Sequence, residues 1–199
     1  MKPDLIPPAT VSGLRRALLA HYDRTARDLP WRRDTDPYRV LVSEFMLQQT
    51  RVETVIRYYD PWLERFPSVH ALAEADEDQV LKAWEGLGYY RRARNLHKTA
   101  QIVAERYDGT IPEDPEALRS LPGVGEYTTG AVASIAFGVP APAVDGNVRR
   151  VFARLFDEAS PSPKWLKGTA GRLALGDRPG DWTQALMELG ATVCTPRAP

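Results

Sequence analysis

Apolar residues recur three and four positions apart along nearly the whole chain, and stretches in which apolar and polar positions alternate are hard to find. A period near 3.6 lines side chains up on one face of an α-helix, whereas a strand shows a period of two. The pattern predicts an all-α protein of about ten short helices. Local punctuation agrees. Asp36-Pro37 and Asp114-Pro115 each read as an N-cap followed by a first-turn proline, Ser68 and Asp76 read as further caps, and Gly109 closes the long segment YYRRARNLHKTAQIVAERYDG. SPSPK (160–164) and GDRPGD (176–181) are loop-like breaks that set the last two helices apart.

At 199 residues and 43% hydrophobic, the chain can bury a core as one unit or as two small lobes. The 26 basic and 26 acidic side chains cancel, so any binding of a polyanion must be local. Cys194 is the single cysteine, which excludes an internal disulfide and suits a reducing compartment. MKPDLIPPAT lacks the apolar core of a signal sequence, and no later run approaches about 18 uninterrupted apolar residues. A soluble, cytoplasmic protein with no membrane partner is expected.

The stretch LPGVGEYTTGAV (121–132) places two glycines in front of a helix. A Walker-type phosphate loop would need a Lys-Ser/Thr pair after its last glycine, and a dinucleotide fingerprint would need a preceding strand; both are missing. What remains is helix, tight hairpin, helix. Gly123, Val124 and Gly125 would let the backbone come close to a ligand, and the amides of the next helix's first turn, at Thr128, would favour an anion such as a DNA phosphate. Taken alone, LPGVG is equally well a plain turn between helices.

The stretch does not stand alone. LPGVGEYTTGAV resembles the helix-hairpin-helix signature of the endonuclease III superfamily of DNA glycosylases. LPWR (29–32), SEFMLQQT (43–50), GLGYYRRARNLHK (86–98), VDGNVRRV (144–151) and QALMELGATVC (184–194) resemble, in that order, its adenine-specific mismatch branch, the MutY family. The likeness implies a two-lobed helix-hairpin-helix glycosylase: a helical lobe at 29–137, a second lobe from 1–28 and 138–199, and an active site in the cleft between them.

Cutting the N-glycosidic bond to adenine requires protonating a poor leaving group while sheltering an oxocarbenium-like sugar. In DPYRVLVSEFMLQQT, Glu44 shares a helix face with Val40, Leu41 and Leu47, where desolvation would keep a proton on it. Asp145 precedes a helix with a stripe of Val148, Val151, Phe152 and Leu155, and is placed like an N-cap, where amides and the helix dipole favour the anion. Spacing alone does not separate these roles from a simple cap and a paired, half-buried glutamate. By resemblance, Glu44 is the general acid, Asp145 the carboxylate that stabilises or captures the sugar, and Asn147 a residue that helps hold Asp145.

Tyr127 stands where related bifunctional glycosylases carry a lysine. A phenol cannot form a Schiff base, so hydrolysis without an efficient lyase step is expected. The resemblance further makes Gln49 and Tyr89 a wedge pair entering the duplex, with Gln48 beside them; Trp31, Arg32 and Leu47 a wall of the adenine pocket; and Gln184 an amide for adenine's edge. Arg91, Arg92, Arg94 and Lys98 form a basic cluster suited to phosphates, and Arg149, Arg150 and Arg154 a second. His21, His70 and His97 have no metal-ligand spacing, and none is read as catalytic.

Family members usually carry three more cysteines after the one matching Cys194, which together hold a 4Fe-4S cluster, and then a further domain. One thiolate cannot close such a cluster, so the chain as given is expected to hold none, and a truncated form of a longer protein is the favoured reading. The expected activity is hydrolysis of adenine from a mispair with 8-oxoguanine or guanine in double-stranded DNA, by a monomer. The rivals are a mismatch thymine or uracil glycosylase and a non-catalytic DNA-binding module.

Overall fold

The structure, a computed structural model, describes residues 7–197. The reading of MKPDLI, and the last two residues of CTPRAP, lie outside them. The described residues form an all-α protein of eleven helices: Pro8–Thr25 (α1), Pro37–Leu47 (α2), Val52–Arg65 (α3), Val69–Ala73 (α4), Glu77–Ala83 (α5), Arg91–Tyr107 (α6), Pro115–Arg119 (α7), Glu126–Phe137 (α8), Gly146–Leu155 (α9), Pro163–Ala174 (α10) and Pro179–Thr192 (α11), with a 3-10 turn at Pro30–Arg32. None is long and apolar enough to cross a membrane.

The caps are local events, and they form where the sequence marks them. The carboxylate of Asp36 accepts the Arg39 amide at 2.9 Å, that of Asp114 the Ala117 amide at 2.8 Å, and the Ser68 hydroxyl the Ala71 amide at 3.2 Å. Asp76 makes a reciprocal box with Gln79. The end of α6 differs by one position from expectation. Asp108 takes the left-handed conformation first (φ 49), and Gly109 follows it (φ 74). Aspartate tolerates that region because its short polar side chain can bond locally.

Two compact units result, Asp28–Val132 on one hand and Met1–Arg27 with Ala133–Pro199 on the other, the chain passing from one to the other inside α8. In Asp28–Val132, α4 and α5 pack on α6, and α2 packs on α3 and α6. Trp62 is fully buried there, edge-on to Phe66 at 4.9 Å and to Trp84 at 5.3 Å. Emptying such a site costs about 3–5 kcal/mol.

The other unit has its own core, in which Leu18 and Tyr22 of α1 meet Val148 and Phe152 of α9, Leu173 of α10 and Trp182 and Leu186 of α11. Two charged groups inside it are matched. The Arg15 guanidinium lies 4.7 Å over the Trp182 ring and donates to the carbonyls of Leu173 and Asp177, both at 2.6 Å. Glu188, 4% exposed, accepts from Arg27 Nε and Nη2 at 2.8 Å each. A bidentate fork of this kind offsets the desolvation of a buried carboxylate.

Candidate active site

Glu44 sits on α2 between Ser43 and Phe45 and is 5% exposed, in a helix whose Tyr38, Val40, Leu41, Val42 and Met46 are also buried. The apolar run that makes α2 a core helix thus carries a carboxyl inward with it. Leu47, half-buried, ends the helix. The 3-10 turn packs on α2 and α3. It buries Trp31 edge-on to Tyr59 at 5.7 Å and leaves Arg32 half-buried. Burial pushes the Tyr59 phenol above its ordinary range, so it stays a donor, here to the Arg39 carbonyl at 3.3 Å.

The LPGVG hairpin joins α7 to α8. Thr99 of α6 donates its hydroxyl to the Pro122 carbonyl at 3.0 Å, and the Val124 amide closes on the Leu121 carbonyl at 3.1 Å. Gly123 has φ 78, and a Cβ there would meet Asn95 and the Phe45 ring at 2.9 Å. Gly125 is exposed and has open space where a Cβ would lie. Val124 and Thr128 turn their side chains inward, at 5% and 3% exposure, which leaves backbone as what they offer a ligand. Tyr127 is half-buried in the first turn of α8.

Around the N-terminus of α6, Gln48, Gln49, Tyr89, Tyr90, Arg91, Arg92 and Asn95 line a hollow of about 420 Å³. Tyr89 is 63% exposed, and both Gln49 (φ 57) and Tyr89 (φ 47) occupy the left-handed region. Arg92 does not face outward with its basic neighbours. Arg92, grouped with the phosphate-facing cluster, is buried at 7% exposure, and its guanidinium serves carbonyls of its own unit. Its helical phase carries the signal, since Arg92 is four and eleven positions before the buried Leu96 and Val103. Arg91, Arg94 and Lys98 are exposed, Arg94 paired with Glu77 at 2.9 Å.

In the other unit Asp145 is the N-cap of α9. Its Oδ1 accepts the Val148 amide at 2.7 Å and its Oδ2 the Asn147 side-chain N–H at 2.8 Å. Asn147 is oriented in turn by Arg150, which donates to its Oδ1 at 2.7 Å and also to the carbonyls of Cys194 at 2.6 Å and Gly190 at 2.5 Å. Sequence reasoning missed Arg150 in this role, and it missed Gly190, where a Cβ would stand 2.5 Å from that of Asn147. Gln184 is half-buried on α11, beside Thr183, whose hydroxyl accepts from Ser134 at 2.9 Å.

Cys194 is half-buried, and its sulfur accepts from Arg154 Nη1 at 3.1 Å. A 4Fe-4S centre held by four thiolates does not fit this chain, which has one cysteine, and no three His, Cys, Asp or Glu converge among the described residues.

Residues 42–170 match the family described as the HhH-GPD superfamily of base excision DNA repair proteins. The adenine DNA glycosylase of Homo sapiens is 49% identical over 96% of this chain and 38% of its own length; that of Mycobacterium tuberculosis is 44% identical over 99% and 68%. The chain therefore spans about two fifths of the human relative. Among solved structures, a thermostable thymine-DNA glycosylase superposes with a TM-score of 0.87 at 30% identity, over 95% of this chain and 89% of that one.

Proposed function

Because the chain belongs to the HhH-GPD superfamily of base excision DNA repair proteins, we propose that it is an adenine DNA glycosylase, hydrolysing adenine from a mispair with 8-oxoguanine or guanine in double-stranded DNA, as a monomer and without an associated strand-cutting step. The observation that supports it most is the contrast between two carboxyl groups. Glu44 is 5% exposed in an apolar helix, and Asp145 accepts N–H hydrogen bonds on both oxygens. One environment suits a proton donor and the other an anion.

The Glu44 carboxyl gives its proton to a ring nitrogen of adenine while the bond from the sugar's C1′ to adenine breaks, the bonding pair leaving with the base. The Asp145 carboxylate stabilises the positive charge left on the sugar. A water adds to C1′, its proton returns to the Glu44 carboxylate, and the products are adenine and an abasic sugar. Trp31, Arg32 and Leu47 would face the extruded base, and Gln184 would bond its edge. Tyr127 offers no amine, so no covalent imine forms and the strand stays intact until alkali cleaves it.

Duplexes holding A opposite 8-oxoguanine, A opposite G and T opposite G test this reading, abasic sites being scored before and after alkali. Adenine release that needs alkali for scission is expected; thymine release, or binding with no release, overturns it. Glu44→Gln keeps the shape and removes the titrating proton, so excision should fall by roughly 10²-fold or more while duplex affinity holds. Unchanged excision would show the acid to lie elsewhere.

A further inference from the structure

Arg92 is the most heavily bonded side chain beside the hollow. Its Nη1 donates to the carbonyls of Phe45 at 3.1 Å and Met46 at 2.8 Å, in the last turn of α2, and to that of Gln48, the residue that caps it. Its Nη2 donates to Thr50 Oγ1 at 2.9 Å and to the carbonyls of Leu87 at 3.0 Å and Gly88 at 3.2 Å. The guanidinium also lies 5.5 Å from the Tyr89 ring centre and 5.3 Å from that of Trp84. It thus grips the residues on both sides of Gln49, and Tyr89 by its ring and by the carbonyl just before it.

Gln49 and Tyr89 are two of the five non-glycine residues with positive φ among the described residues. Side chains rarely adopt that backbone, and it persists only where the surroundings impose it. One planar guanidinium reaching both bends supplies that constraint at both at once. A lysine ammonium, a single point of charge, cannot bridge the two sets of acceptors. Burial removes Arg92 from the pool of phosphate-binding cations, so the grip needs another explanation than DNA affinity.

We propose that Arg92 is a positioning residue that presents Gln49 and Tyr89 as a preformed pair for entry into the duplex, and so governs extrusion of the target base rather than bond cleavage. The inference rests on the reading of Gln49 and Tyr89 as the wedge pair. An unstacked base is cheaper to hold out when the groups filling its place need no ordering on arrival.

The test is stopped-flow fluorescence of 2-aminopurine placed at the target adenine, opposite 8-oxoguanine, with a thermal melt to check the fold of each variant. Arg92→Lys should slow the rise by about tenfold, within what a displacement of about 1 Å produces. Gln49→Ala with Tyr89→Ala should slow it too, and in that background Arg92→Lys should add nothing, because the pair it positions is gone. A merely structural role would multiply with the wedge variants. If the wedge variants extrude at the parent rate, the wedge reading falls and takes the proposal with it. If they are slow while Arg92→Lys is without effect in the parent, or compounds their loss, the proposal alone is overturned. Should Arg92→Lys not fold, Thr50→Val removes one acceptor beside Gln49 and leaves Arg92 in place. About threefold slower extrusion is then expected in the parent and none in the wedge-free background, the scale of one lost hydrogen bond; parent-like extrusion would overturn the proposal.

Discussion

At the scale of single side chains, Asp145 is held in place by a chain of contacts. Its Oδ2 takes a hydrogen bond from Asn147, whose amide is held the right way round by Arg150, while α11 closes on Asn147 at Gly190. An amide presents a donor or an acceptor depending on a half-turn about one bond, so the arginine on Oδ1 decides that the N–H end meets the carboxylate. Asn147→Leu removes that donor and keeps the number and branching of the side chain's heavy atoms. A charge-assisted hydrogen bond contributes about 1.5–3 kcal/mol, so single-turnover excision should fall roughly 10- to 100-fold, with duplex affinity by anisotropy changed little. Excision within about twofold of the parent would mean that Asp145 needs no such support.

The hairpin is where element geometry separates two readings of one motif. Gly123 is required by the fold: it has φ 78, and a Cβ there would come within 2.9 Å of Asn95 and of Phe45, the neighbour of Glu44 on α2. Gly125 has neither constraint, and it is exposed. Gly123→Ala should therefore lower the melting temperature by several degrees, since the backbone penalty alone is about 1 kcal/mol. Gly125→Ala should melt like the parent but bind duplex DNA several-fold more weakly, if backbone at this turn approaches a phosphate. Unchanged affinity in Gly125→Ala would reduce LPGVG to a connection between helices. The same contrast marks what the sequence could show. Caps at Asp36, Ser68, Asp114 and Asp145 were legible because each is decided within about four residues, by a side chain and an amide in one turn. So was Glu44 on an apolar face, through helical period alone. Arg15 and Glu188 were not, because a buried charge is stable only beside acceptors or donors, and theirs lie 158 to 162 positions away in the chain. Helical phase marks Arg92 as inward-facing, but not the carbonyls at 45, 46 and 48 that it serves.

For the whole molecule, the equality of 26 basic and 26 acidic groups leaves no net charge to draw in a polyanion. Many of the arginines are also engaged inside the protein: Arg15, Arg92 and Arg150 hold carbonyls, Arg178 pairs with Asp23 and Asp181, and Arg39 with Asp34. What the α6 face leaves to a phosphate backbone is Arg91 and Lys98, with Arg94 shared with Glu77. Affinity for duplex DNA should thus depend on salt as a small, local patch does. Each neutralised phosphate contributes about −0.9 to the slope of log K against log salt, so two to four contacts give a slope of roughly −2 to −4. Arg91→Ala should lower its magnitude by about 0.9, whereas Arg92→Lys should leave it alone, because that charge touches no phosphate. A titration of binding from low to high salt decides the matter. A parent slope steeper than about −6 would require a basic surface well beyond α6, and a slope that changes in Arg92→Lys would return that residue to the phosphate-binding set its buried guanidinium argues against.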